Sequence, residues 1–157
     1  MKALIDTNIL VYRYDWRFPD KQRIAHDLLR QGSERLSVCL PHQAIVEFVA
    51  AATRPQASIE GRSLLSREEA YREADSLLSM FVVLYPNEDV VAAALRGAAL
   101  YQLSWFDAHL WAYAEVNGLP KLISEDFEDG RLYGAVRVEN PFLPAADFVN
   151  EPPAAYG

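Results

Sequence analysis

Short, β-prone apolar segments alternate along this chain with stretches of helical periodicity, and this alternation limits the folds open to it. Lys2–Ile5, Leu36–Cys39, Phe81–Tyr85 and Leu119–Ile123 read as strands, with Ala135–Val138 as a fifth candidate. Ile9-Leu10-Val11 begins a helical run to about Tyr14. A second helix starts at Pro19, carries Ile24, Leu28 and Leu29 on one face, and closes at Gly32. Pro41 opens a helix through Ile45, Phe48, Val49 and Ala52. Ser66-Arg67-Glu68-Glu69 has the capping-box pattern and starts another through Tyr71, Ala74, Leu77 and Leu78. Val90 to Tyr101 is helical and rich in small residues; Ser104 begins the last helix, which ends at Asn117-Gly118. Residues 54–65 are expected to be a loop or mobile hairpin. Such alternation predicts an α/β fold, a parallel sheet between layers of helices. Right-handed crossovers place the carboxyl ends of parallel strands along one edge, and ligands bind outside that edge.

Composition narrows the class. Of 157 residues, 51% are apolar and 24% charged, the balance of one globular domain with no need of a metal or disulfide to fold. We expect that domain to span residues 1–143, with 144–157 a loosely ordered tail. No apolar run approaches the roughly 18 residues of a membrane span, and Asp6 interrupts the first one too early for a signal peptide. The expectation is a cytoplasmic protein with no membrane association. The single cysteine, Cys39, excludes an internal disulfide or a Cys-rich zinc site, and its apolar neighbours mark it as a core residue. A net charge of −7 argues against nucleic-acid binding through a broad basic face. It leaves open a nucleic-acid enzyme whose acidic centre is neutralised by metal.

The placement of the acids is the informative pattern. Asp6 directly follows the first strand, Glu47 lies in the helix after the second, Asp107 in the first turn of the helix from Ser104, and Asp126 just after the fourth strand. In a parallel sheet all four gather near the carboxyl edge. Two carboxylates about 5 Å apart repel by roughly 3 kcal/mol at an effective dielectric near 20. Such a cluster persists only with protonation or a bound cation. Oxygen-only donors with few histidines favour Mg²⁺ or Mn²⁺, which suit phosphodiester hydrolysis. Each acid also has a plainer reading. Asp6 is placed to cap the helix at Asn8, Asp107 completes a capping-box spacing from Ser104, and Asp126 is placed to favour a helix dipole near Ser124. Glu47, between Val46 and Phe48 on an apolar helix, has a solvated face as its plainer reading, since a cap is not open to it.

Four segments together resemble the PIN-domain ribonucleases, and among them the VapC toxins of bacterial type II toxin–antitoxin pairs. They are Leu4-Ile5-Asp6-Thr7-Asn8, Gln43-Ala44-Ile45-Val46-Glu47-Phe48, Leu103-Ser104-Trp105-Phe106-Asp107-Ala108 and Ile123-Ser124-Glu125-Asp126-Phe127. The last continues through Asp129-Gly130-Arg131 to Val138-Glu139-Asn140-Pro141-Phe142. The resemblance implies an αβα sandwich around a four- or five-stranded parallel sheet and a metal-dependent endoribonuclease. By family position Asp6, Glu47, Asp107 and Asp126 form the acidic quartet, with Asp6 and Asp107 as direct ligands of Mg²⁺ or Mn²⁺. Glu47 and Asp126 complete the coordination and orient the nucleophile; Thr7, Asn8 and Ser124 support them. The resemblance also implies an RNA substrate, a homodimer, and a small antitoxin whose carboxy-terminal segment occupies the active groove.

Other features have competing readings. Arg13, Arg17, Arg54 and Arg62 are candidate phosphate contacts, although twelve of the fifteen basic residues are Arg and a solvated surface is the plainer reading. Tyr12, Tyr14, Trp16 and Phe18 suit packing against a partner better than base stacking. His26, His42 and His109 read as structural or surface residues. A receiver-like Mg²⁺-binding regulatory module needs a second acid after Asp6, where Thr7 stands, an Asp after the third strand, where Tyr85-Pro86 stands, and a Lys at a strand end, whereas Lys121 is at a strand start. A haloacid-dehalogenase-like phosphatase with Asp6 as nucleophile needs an acid where Asn8 stands.

Overall fold

The computed structural model describes residues 2–144, so all but the first residue of the tail expected from position 144 lies outside the described residues. Six strands form one sheet: β1 (Ala3–Ile5), β2 (Val38–Pro41), β3 (Val82–Leu84), β4 (Lys121–Ile123), β5 (Leu132–Tyr133) and β6 (Val136–Glu139). Their spatial order is β3-β2-β1-β4-β6-β5, with every pairing parallel except β5–β6. The helices are α1 (Thr7–Tyr12), α2 (Pro19–Arg35), α3 (His42–Thr53), α4 (Arg67–Met80), α5 (Glu88–Tyr101) and α6 (Trp105–Val116).

The period of two along each strand divides the core. Leu4, Cys39, Leu122 and Val138 pack with α5 and α6; Ala3, Ile5, Leu40 and Ile123 pack on the opposite face with α1–α4. This is the three-layer sandwich expected. Close packing on the α5–α6 side depends on Gly97, where an added Cβ would stand 2.4 Å from Trp111 Cζ3. Trp111 in turn donates its indole N–H to the Tyr133 carbonyl at 2.9 Å.

Three expectations change. The sheet has six strands, not four or five, because Leu132–Tyr133 forms an antiparallel hairpin with β6 across Gly134, whose φ of 59° suits the turn. Two residues are too short to carry a periodic signal. The second helix runs past Gly32 to Arg35. At Gly32 the missing side chain lets α2 lie against Val38, where a Cβ would be 2.6 Å from Cγ2. The second strand accordingly begins at Val38, because Leu36, at φ 53°, caps α2 in the left-handed region. Residues 54–65 form a small hairpin-like loop with a 3-10 turn at Ala57–Ile59 and a bridge between Gln56 and Arg62. Among the described residues no helix is long and apolar enough to cross a membrane.

Candidate active site

Parallel pairing of β1 with β2 and β4 brings the segments after these strands to one edge. Asp6 leaves β1 in extended conformation at the N-cap position of α1, yet its side chain makes no capping hydrogen bond. It is 6% exposed, and its Oδ2 accepts a 2.6 Å hydrogen bond from Ser124 Oγ just past β4. Ser124 Oγ also accepts from the Asp126 backbone N–H at 3.1 Å, tying the Asp126 loop to β1. Among the described residues no helix follows Ser124, so the dipole reading of Asp126 does not hold; its Oδ2 accepts from Asn8 Nδ2 at 3.0 Å.

Glu47 projects from the second turn of α3. Its Oε1 accepts from Thr7 Oγ1 at 2.8 Å and from Gln43 Nε2 at 3.2 Å. Gln43 Nε2 also donates to the Phe106 carbonyl at 3.1 Å, joining α3 to the start of α6. Ser104 caps α6 by accepting from the Asp107 backbone N–H at 3.1 Å. In α4 the equivalent Glu69 carboxylate reaches back to its cap and completes the box, whereas the Asp107 carboxylate makes no such return bond. Asp107 is left free to face the cleft.

All four acids line one cleft of about 240 Å³ at the carboxyl edge, together with Arg54 and Phe106. Burial pushes the Asp6 carboxyl up to about 7; the Ser124 hydrogen bond opposes the rise, and the charges of Asp126 and Asp107 add to it. Asp107 is also raised, first by burial, with Ser104 opposing and the charges of Asp126 and Glu47 adding. The donors are carboxylate oxygens, and for Asp6 and Asp107 the site disfavours the ionised form, which a hard divalent cation would relieve. Among the described residues no group of three or more His, Cys, Asp or Glu side chains is placed to hold a metal ion by itself. The oxygen-only donor set is of the kind Mg²⁺ takes, one or two carboxylates together with waters and substrate phosphate.

The other candidates separate. Thr7 and Asn8 each bond one member of the quartet, and Ser124 bonds two, Asp6 and the Asp126 backbone. Of the four arginines, only Arg54 lines the acidic cleft. Arg17 forms a forked pair with Asp15 and donates to Ser58, Arg62 Nε donates to the Ile59 carbonyl, and Arg13 lies over Tyr14. Tyr12 and Phe18 join Phe142 around the Lys21 ammonium, and Lys21 pairs with Glu125 at 2.7 Å. His42 lies tilted against Tyr85 and His109 meets Trp105 edge to face, away from the quartet's hydrogen bonds. Sequence reasoning missed Gln43 as the support of Glu47. Its spacing of one helical turn before Glu47 was the available signal. It also missed Phe106, whose ring is 65% exposed at the cleft.

Comparison with known proteins agrees with this architecture. No curated protein matches the sequence. A toxin–antitoxin complex from Klebsiella pneumoniae is similar in fold, with a TM-score of 0.62 and 22% identity over 90% of this chain and 98% of that one. A DNA-bound VapBC from Salmonella typhimurium matches with a TM-score of 0.65 and 14% identity, over 90% and 98% of the two chains. FitAcB from Neisseria gonorrhoeae matches at 0.61 and 19% identity, over 89% and 98%. The sequence profile of the PIN domain matches residues 3–133, most of the chain. With that match and this fold, the chain belongs to the PIN-domain family.

Proposed function

We propose that this protein is a divalent-metal-dependent endoribonuclease and the toxin of a toxin–antitoxin pair. The observation that carries the reading is the convergence of Asp6, Glu47, Asp107 and Asp126, from four separate parts of the chain, on one cleft. In this reading Asp6 and Asp107 hold Mg²⁺ or Mn²⁺, and Glu47 and Asp126 complete its surroundings. A cation held there would supply Lewis-acid chemistry, polarising a phosphoryl oxygen and making water a stronger nucleophile near neutral pH. The chain's own residues fix the geometry. Ser124 holds Asp6, Asn8 holds Asp126, and Thr7 with Gln43 aims Glu47. Glu47, its Oε1 already occupied, keeps Oε2 as an acceptor that orients the attacking water. Arg54 stands where it contacts a substrate phosphate. The raised Asp6 carboxyl releases a proton when the cation binds.

The partner reading follows the family. The similar structure from Klebsiella pneumoniae is described as a toxin–antitoxin complex, and we propose a homodimer and a small antitoxin whose carboxy-terminal segment fills the cleft. The receiver-like reading lacks an Asp directly at the end of β3, where Tyr85-Pro86 stands, and Lys121 opens β4 at the opposite edge. The phosphatase reading needs an acid at position 8, where Asn8 donates to Asp126. The test is sequencing of RNA 5′ ends after brief expression of wild type beside Asp6→Asn. New ends at defined positions with wild type alone are expected; the same ends from both chains, or from neither, would overturn the assignment.

A further inference from the structure

A larger cleft, of about 460 Å³, lies between the carboxy-terminal half of α2 and the sheet, reaching from Lys2 and Lys121 at the starts of β1 and β4 to Ile123 and Glu139 at the ends of β4 and β6, and shares no residue with the acidic cleft. Its charge is the reverse of the chain's. Lys2, Arg35, Lys121 and Arg137 line it against one carboxylate, Glu139, in a protein of net charge −7. Glu139 pairs with Lys121 at 2.8 Å. Arg137 uses one N–H on the Gly130 carbonyl at 2.6 Å, which orients the guanidinium and leaves further donors open. Lys2 and Arg35 have no ion-pair partner among the described residues.

Apart from Gln31 and Ser37 the remaining lining is apolar, and Leu28, Val38 and Ile123 form its floor. The volume falls within the roughly 300–1,000 Å³ of small-molecule sites. Converging cations select an anion, guanidinium forks match the oxygens of phosphate, and the apolar floor suits a flat ring. A ligand carrying both a phosphate and a ring satisfies all three features.

We propose that this cleft binds a phosphate-bearing ligand of nucleotide size, with Arg35, Arg137 and Lys2 holding the phosphate and the apolar floor taking the ring. The site is separate from the acidic cleft and does not rest on the nuclease reading. Its test is a calorimetric titration with GMP, guanosine and inorganic phosphate at low salt with EDTA present, so that no metal draws phosphate to the carboxylates. GMP is expected to bind saturably and more tightly than guanosine or phosphate alone. Arg35→Glu and Lys2→Glu are expected each to weaken GMP by about tenfold or more, while Asp6→Asn leaves it unchanged. Lys2 and Arg35 are exposed and make no structural hydrogen bonds, so denaturation midpoints should confirm folded variants; Arg137→Gln gives a further check. A 5′-phosphorylated dinucleotide that binds as tightly as GMP identifies the end of a chain as ligand, and one that binds far more weakly identifies a free nucleotide. Absence of saturable GMP binding, binding that survives these substitutions, or guanosine or phosphate binding as tightly as GMP would overturn the proposal.

Discussion

Asp6→Asn, measured without metal, should stabilise the protein in a pH-dependent way. In the fold the Asp6 carboxyl titrates near 7 against an ordinary value of 3.8, so ionising it there costs about three pKa units, or roughly 4 kcal/mol. The sign follows from proton binding. Between about pH 4 and 7 the folded state holds a proton that the unfolded state has lost, so stability falls as pH rises through that window. Above it, the full cost is present. Asn has nearly the same shape, carries no charge and still offers an oxygen to the Ser124 hydroxyl. Allowing for the weaker neutral hydrogen bond, the variant should exceed wild type by about 2–4 kcal/mol at pH 8 and by little at pH 4. Urea denaturation in EDTA across this range, followed by tryptophan fluorescence, measures the difference. Saturating Mg²⁺ should narrow the gap at pH 8, because the cation stabilises the wild-type carboxylates more. A variant less stable than wild type at pH 8, or a difference independent of pH, would refute the burial argument.

Further predictions follow from packing and capping. Gly97→Ala places a methyl group 2.4 Å from the Trp111 ring and should destabilise the fold by about 1–3 kcal/mol in equilibrium denaturation. Leu36→Gly relieves a left-handed leucine that is 69% exposed; its denaturation midpoint should rise, by up to about 1 kcal/mol in stability. Ser104→Ala removes the cap of α6 and should cost about 1 kcal/mol, while also lowering RNA cleavage because Asp107 loses its anchored turn. Thr7→Val deletes the hydroxyl that aims Glu47, and in a cleavage assay should lower kcat about tenfold or more with little change in melting temperature.

The alternation of elements and the order of the acids were legible in the sequence because both follow from local periodicity. Asp6 stands directly beyond, and Asp126 three residues beyond, strands whose ends the apolar runs already mark. The hairpin strand Leu132–Tyr133 was not legible, because two residues have no period and their pairing depends on a turn at Gly134. The end of α2 was misplaced for a tertiary reason: Gly32 marks a close approach to Val38, not a helix stop. In the site, the capping spacing from Ser104 correctly located the start of α6. Only the coordinates show that the Asp107 carboxylate makes no return bond to the cap. Gln43 escaped notice because its function depends on the Phe106 carbonyl, 63 residues away in sequence. Arg54 stands out from the other arginines only once the fold places it in the cleft.

Manganese binding is the most direct test of whether the four carboxylates act as one centre. Titrating the purified protein with Mn²⁺ and reading free ion by electron paramagnetic resonance gives the affinity of wild type, Asp6→Asn, Asp107→Asn and the surface control Asp20→Asn. We predict saturable binding by wild type and the control, and about tenfold or greater weakening in each cleft variant, since each removes a charged oxygen donor. Equal affinity in all four proteins, or no saturable binding by wild type, would contradict the account.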